Sequence, residues 1–237
     1  MYHSNFKRNT ICKKTINRKK DKYEESQEDD KNVGELFKNI FGATSNPHCG
    51  MGRVYCEENH IYFYDDVNTN SILELVKHIK NLNRKIKLEL ADYNILYDTN
   101  AENTVNIYLH INSFGGFVFD SLAAVDTIIS SEVPIISIIE GCAASAATFL
   151  SIVCQKRQMR EHASMLIHQL SGGFWGTFEQ MKDDIKNSKY LMKVIKDIYM
   201  KHTNDKLSED KLDEVLQRDI WWSPKKCKKY GLIDEIV

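Results

Sequence analysis

The chain has 237 residues, a mass of 27.5 kDa, 42% hydrophobic residues, a formal net charge of −1 and a pI near 6.7. That length holds one large domain with a tail or two small domains, and the apolar content is ample for a buried core. The balanced charge argues against a nucleic-acid partner, and three prolines with eleven glycines argue against a low-complexity chain.

Six cysteines, Cys12, Cys49, Cys56, Cys142, Cys154 and Cys227, are scattered without a C-x-x-C pair or a secretory pattern. This reads as reduced thiols in an intracellular protein. His48 beside Cys49 has no second ligand pair at a workable spacing, so no metal site is expected. The longest apolar run, from Val133 to Ile139, is interrupted by Pro134 and is too short to span a bilayer, so no membrane contact is expected.

The first twenty residues carry seven Lys or Arg and no acid, and the next eleven are mainly acidic (Asp21, Glu24, Glu25, Glu28, Asp29, Asp30). With so few apolar groups the segment cannot offset its ordering entropy, so residues 1–53 read as a disordered or weakly ordered extension and 54–237 as the folded domain. The basic start fits a solvated tail, a nuclear signal or an organelle-targeting peptide, although an amphipathic apolar face is missing. A cytoplasmic location is expected, or a mitochondrion or plastid if the basic start is a transit peptide.

His60 to Tyr64 is a short aromatic strand, and Ser71-Ile72-Leu73-Glu74 has a capping-box pattern ahead of a helical stripe through Leu75, Val76, Ile79 and Leu82. Residues 85–103 show no clear period and read as a surface insertion. Asn106 to Asn112 is a buried strand that breaks at Gly115-Gly116, where a turn needs backbone freedom and a ligand can approach the N–H groups. Phe117 to Ile129 follows as a helix.

Pro134 to Cys154 organises the chain. Its β-branched run stops at Gly141, and a small-residue segment then opens a helix through Phe149, Leu150, Ile152 and Val153. Ser145 stands at the hand-over. There it is either a helix N-cap or a hydroxyl beside unpaired N–H groups, where developing negative charge is stabilised.

Ser164 to Leu170 reads as a buried strand carrying His168, and Gly172 to Gly176 as an exposed glycine-rich loop. A long helix over 177–202 is apolar at Phe178, Met181, Ile185, Tyr190, Leu191, Val194, Ile195 and Ile198. At about 1.5 Å per residue it spans roughly 35–40 Å, which suits packing against other subunits. Ser208 to Gln217 is a capped helix, Arg218 to Trp222 a connector or short strand, and Ser223-Pro224 starts a last helix that Gly231 ends. Strands alternating with helices indicate an α/β fold with parallel pairing. Gly115-Gly116, Ser145 and His168 all lie where a strand finishes, and such ends collect into one crevice. A nucleophilic hydroxyl needs a base in reach, and His168 is the residue to supply it.

The segments HINSFGG (110–116), GCAASAATFL (141–150), MLIHQLSGG (165–173) and RDIWWSPKKCKKYGLID (218–234) resemble, in order and spacing, the motifs of the ClpP family of serine peptidases in the crotonase-like superfamily. The resemblance covers residues 54 to 237. It implies a ClpP/crotonase-like α/β fold of repeated ββα units with a protruding handle helix. It implies Ser145 as nucleophile, His168 as general base, Asp219 as the carboxylate orienting the histidine, and the Gly116 and Ala146 N–H groups as oxyanion hole. Gly115 and the loop with Gly172, Gly173 and Phe174 would bind extended substrate. No cofactor is implied in this chain, ATP being used by a partner unfoldase of the AAA+ Clp type. The resemblance further implies self-association into two stacked heptameric rings that degrade unfolded polypeptides. Phe114 and Leu170 stand where the family commonly has proline, and Gln217 where it often has an acid. A catalytically silent ring subunit and an acyl-CoA enzyme of the same fold are the alternatives, and the complete Ser145, His168 and Asp219 set favours the peptidase.

Overall fold

The computed structural model describes residues 54–97 and 105–237. The expected extension over 1–53 and the end of the expected insertion, 98–103, lie outside the described residues. β1 (Val54–Glu57) and β2 (His60–Phe63) form an antiparallel hairpin. Their exposed face stacks Tyr55 on Tyr62 with ring centroids 4.6 Å apart.

Helix α1 (Thr69–Tyr97) is longer at both ends than the sequence pattern suggests. Asn68 caps it rather than Ser71: its Oδ1 accepts from the N–H groups of Asn70 and Ser71 at 3.0 and 3.1 Å. Ser71 is buried and donates to the Asp66 carbonyl. Residues 85–97 continue this helix instead of forming an irregular insertion. Ile86 extends the buried stripe of Leu75, Ile79 and Leu82, and beyond it good helix formers propagate a turn already nucleated.

β3 (Ile107–Ser113), α2 (Val118–Ile129) and β4 (Ile135–Ala144) complete a parallel unit, with Ile107, Leu109, Ile111, Ile135 and Ile139 fully buried. Gly141 does not end β4. The strand runs on to Ala144 because the register slips between Ile111 and Ser113, and Asn112 Oδ1 accepts the Cys142 N–H at 3.1 Å. A Cβ on Gly141 would lie 2.5 Å from that oxygen, so glycine here makes room for a bulge rather than a stop.

After α3 (Ala147–Ile152) come β5 (Lys156–Met159) and β6 (Ser164–Leu166), then the long α4 (Phe178–His202), α5 (Glu209–Leu216), β7 (Trp221–Trp222), α6 (Pro224–Lys229) and β8 (Glu235–Ile236). β4 serves two neighbours in turn: Ile136 to Ile139 pair with β5, whereas Cys142 to Ala144 pair with β6, both parallel. The main sheet runs β1-β2-β3-β4-β5-β8, and β7 adds antiparallel to β6 on the branch. β6 is shorter than expected, so His168 lies two residues past the strand. β5, with the sequence KRQM, lacks any apolar run and escaped the sequence reading.

Thr177 and Gln180 form a capping box at the start of α4, and Ser208 caps α5. Ser223 precedes Pro224 as expected, without a side-chain cap bond. Only the C-terminal part of α4 is buried, through Leu191, Ile195 and Tyr199, leaving Phe178, Ile185 and Tyr190 exposed. Cys142, Cys154 and Cys227 are buried free thiols, and burial pushes those of Cys154 and Cys227 up to about 12.

Arg157 is the buried charge that closes the domain. Its Nε and Nη2 bond both Asp234 carboxylate oxygens at 2.9 and 2.6 Å, and its Nη1 donates to the carbonyls of His202 and Gly231. Burial raises the Asp234 carboxyl, but the hydrogen bonds and charge of Arg157 outweigh it and hold the group below the usual carboxylate range. A depressed carboxyl stabilises the fold above its unfolded pKa, near 4, and this contribution fades as pH falls through the folded value. Asp234→Asn is therefore expected to lower unfolding free energy by about 2 kcal/mol at pH 7. In thermal unfolding across pH, the gap between variant and wild type narrows below about pH 4.

Candidate active site

Ser145 sits between β4 and α3 with φ of +53°. A residue with a Cβ pays about 1–2 kcal/mol for this conformation, which persists only where its surroundings enforce it. They do so through both backbone groups. The Ser145 N–H donates to Leu166 O at 2.9 Å, and its carbonyl accepts the Thr148 N–H at 3.0 Å and the Thr148 hydroxyl at 2.6 Å. The helix-cap alternative does not hold. The cap position belongs to Ala146, with no side-chain cap bond, and the Ser145 hydroxyl makes no hydrogen bond among the described residues.

The Gly115-Gly116 turn lies directly on this serine. A Cβ on Gly115, whose φ is +97°, would stand 2.5 Å from Ala144 O, 2.8 Å from Ser145 Cβ and 3.1 Å from Ala146 N. Val67 pins the turn from the other side, its N–H donating to Gly115 O and its carbonyl accepting from Phe117 N–H, both at 2.8 Å. The close approach of Val67 leaves Gly116 no room for a side chain, since a Cβ there would fall 2.1 Å from Val67 O. Among the described residues, neither the Gly116 nor the Ala146 N–H has an acceptor. Two uncommitted donors beside a free hydroxyl make a place for an oxyanion.

Strand register brings in the rest. Leu166 pairs with Ala144 in parallel and with Trp221 antiparallel, so two residues on, His168 stands opposite Asp219. His168 Nδ1 lies 3.0 Å from Asp219 Oδ1, with the histidine largely buried and the carboxylate 77% exposed. The Gln169 N–H donates to Leu216 O at 2.8 Å, tying the chain after His168 to the segment that delivers Asp219. With Nδ1 turned to the carboxylate, Nε2 is the nitrogen left for proton transfer. Phe114 packs edge-on to Trp221 at 6.3 Å, an aromatic bridge from the glycine turn to β7, the strand that follows Asp219.

The sequence-predicted substrate loop is open to solvent. Gly172 and Gly173 face open space, Phe174 is partly exposed and Trp175 is 98% exposed. Leu170, Gly172, Gly173 and Phe174 flank a groove against Ile185 and Met192 of α4. Among the described residues no cluster of His, Cys, Asp or Glu is arranged to hold a metal ion. Sequence reading missed Val67, which pins the turn, and Thr148, which holds the serine carbonyl. Val67 carried no signal, whereas Thr148 was legible as a hydroxyl in the first turn of a helix that is mostly apolar.

Residues 57–237 match the Clp protease family. The chain belongs to that family. Its chemistry is thus that of a serine endopeptidase. A stretch of 150 residues, 62% of this chain, is 33% identical to the ATP-dependent Clp protease proteolytic subunit of Deinococcus radiodurans and covers 72% of it. The same subunit from Mesostigma viride is 32% identical over 145 residues, 60% of this chain and 62% of its own. The fold matches that of a ClpP1 mutant from Listeria monocytogenes with a TM-score of 0.62, covering 76% of this chain and 91% of that one at 20% identity.

Gly115→Ala in this Clp protease chain is expected to push the turn off Ser145. The rate of fluorophosphonate labelling at Ser145 should fall by about tenfold or more while the protein stays folded by circular dichroism.

Proposed function

We propose that this chain is the proteolytic subunit of an ATP-dependent Clp protease, with Ser145, His168 and Asp219 as its catalytic triad. What supports the reading is an uncommitted Ser145 hydroxyl beside the unpaired Ala146 and Gly116 N–H groups, together with the His168–Asp219 contact just past the strand that pairs with Ala144. Ser145 Oγ attacks the peptide carbonyl and His168 Nε2 takes its proton, then returns it to the leaving amine. Asp219 holds the imidazole tautomer and offsets the charge of the imidazolium. The Gly116 and Ala146 N–H groups receive the tetrahedral oxyanion, and water releases the acyl-enzyme. These residues complete the chemistry without a cofactor.

Support for assembly comes from the N-terminal half of α4, where Phe178, Met181, Ile185 and Tyr190 are exposed. A helix that long and that apolar on its outer half supports stacking of two heptameric rings, with the sites enclosed. Such a chamber admits only unfolded polypeptide, which a Clp-type AAA+ unfoldase would feed at the expense of ATP. Gly172 to Phe174 would pair with extended substrate as an added strand.

Ser145→Ala and His168→Ala are each expected to reduce peptidase turnover by about 10⁶, with the double variant losing little more because the group acts as a unit. Asp219→Asn should cost about 10⁴. A silent ring subunit would instead show no fluorophosphonate adduct at Ser145 and no turnover to lose. Both are read by steady-state kinetics on a fluorogenic peptide with intact-mass analysis.

A further inference from the structure

A buried hydrogen-bond chain runs behind the nucleophile turn and takes no part in the acyl-transfer steps. Thr148 is fully buried on α3 and gives its hydroxyl proton to the Ser145 carbonyl at 2.6 Å. A threonine hydroxyl has one proton, so toward its other partner, the Tyr199 hydroxyl, Thr148 Oγ1 accepts. Tyr199 lies on α4, 1% exposed and packed against the Phe149 ring at 5.5 Å. Burial keeps its phenol protonated, so the direction Tyr199 to Thr148 to Ser145 is fixed.

The consequence lies in the geometry of one peptide unit. In a trans peptide the carbonyl and the following N–H point to opposite sides of a rigid plane. Two donors from Thr148 clamp the Ser145 carbonyl toward the interior, so the Ala146 N–H of the same plane is aimed outward, beside the Ser145 hydroxyl. We propose that Thr148 and Tyr199 are positioning residues that aim the Ala146 N–H at the oxyanion, Tyr199 acting through Thr148. The proposal rests on Ser145 being the nucleophile. It accounts for a fully buried threonine hydroxyl on α3 and for a tyrosine with its polar end buried: each satisfies the other, and the surplus donor goes to the strained turn.

The test uses the full-length, assembled protein with Thr148→Val, Thr148→Ser and Tyr199→Phe, assayed for kcat and KM on a fluorogenic peptide and for inhibition by a peptide boronate. Thr148→Val should lower kcat about tenfold with KM within about twofold, and boronate affinity should fall in parallel. Thr148→Ser should restore wild-type kcat. Tyr199→Phe should cost about threefold, and Thr148→Val with Tyr199→Phe should match Thr148→Val alone. Wild-type kcat per titrated site in Thr148→Val, failure of serine to rescue, or additive losses in the double variant would each overturn the proposal. If Thr148→Val does not assemble, the Tyr199→Phe and Thr148→Ser values decide. Ser145→Ala separates the two readings: if it stays active, the nucleophile assignment fails; if it is inactive while Thr148→Val turns over normally, the positioning role alone fails.

Discussion

The structure depends on one strand pairing with two partners. β4 gives its first half to β5, which continues the main sheet, and its second half to β6, which opens a branch. A strand with a single neighbour on that side would carry Ser145 to a sheet end with nothing beside it. Because the second half pairs with β6, and β6 in turn with β7, the ends of three segments meet side by side. Ser145, His168 and Asp219 each lie within two residues of a strand of this branch, and the Gln169 N–H bond to Leu216 O ties the last two together. No long loop has to hold any of them, which suits a site that needs sub-ångström placement.

Small residues make that convergence possible, each for its own reason. Gly141 leaves space for the Asn112 side chain, which fills the missing ladder bond at the bulge and lets β4 continue. Gly115 leaves space for Ser145 itself, and Gly116 for Val67. Ala143, Ala146 and Ala147 are buried and let the turn pack against β3 and α3. Polar bonds then fix what the small residues permit, with Thr148 on the serine carbonyl, Val67 on the glycine turn and Arg157 across the C-terminal segments.

Much of this was legible in the sequence. The apolar runs of β3 and β4, the capped start of α5 at Ser208 and the Ser223-Pro224 start of α6 carry their signals locally, and four motifs in register named the family. What was not legible depends on distant residues. The continuation of β4 past Gly141 needs Asn112 opposite, so the glycine looked like a stop. β5 has an exposed lysine and a buried arginine where a strand reading asks for apolar side chains, and its reason, Asp234, is 77 residues away. The long α1 hid its second half because, among the described residues there, Ile86 alone is buried. Ser145 resembled a helix cap because sequence does not reveal a positive φ.

The account's central claim is that Ser145, His168 and the two N–H donors form one site. The most direct measurement is a crystal structure of the active assembly after reaction with a peptide chloromethyl ketone. The account predicts a covalent bridge from Ser145 Oγ through the inhibitor to His168 Nε2, with the inhibitor oxygen within hydrogen-bond distance of the Gly116 and Ala146 nitrogens. An inhibitor attached at another residue, or bound at Ser145 with its oxygen turned away from both nitrogens, would contradict it.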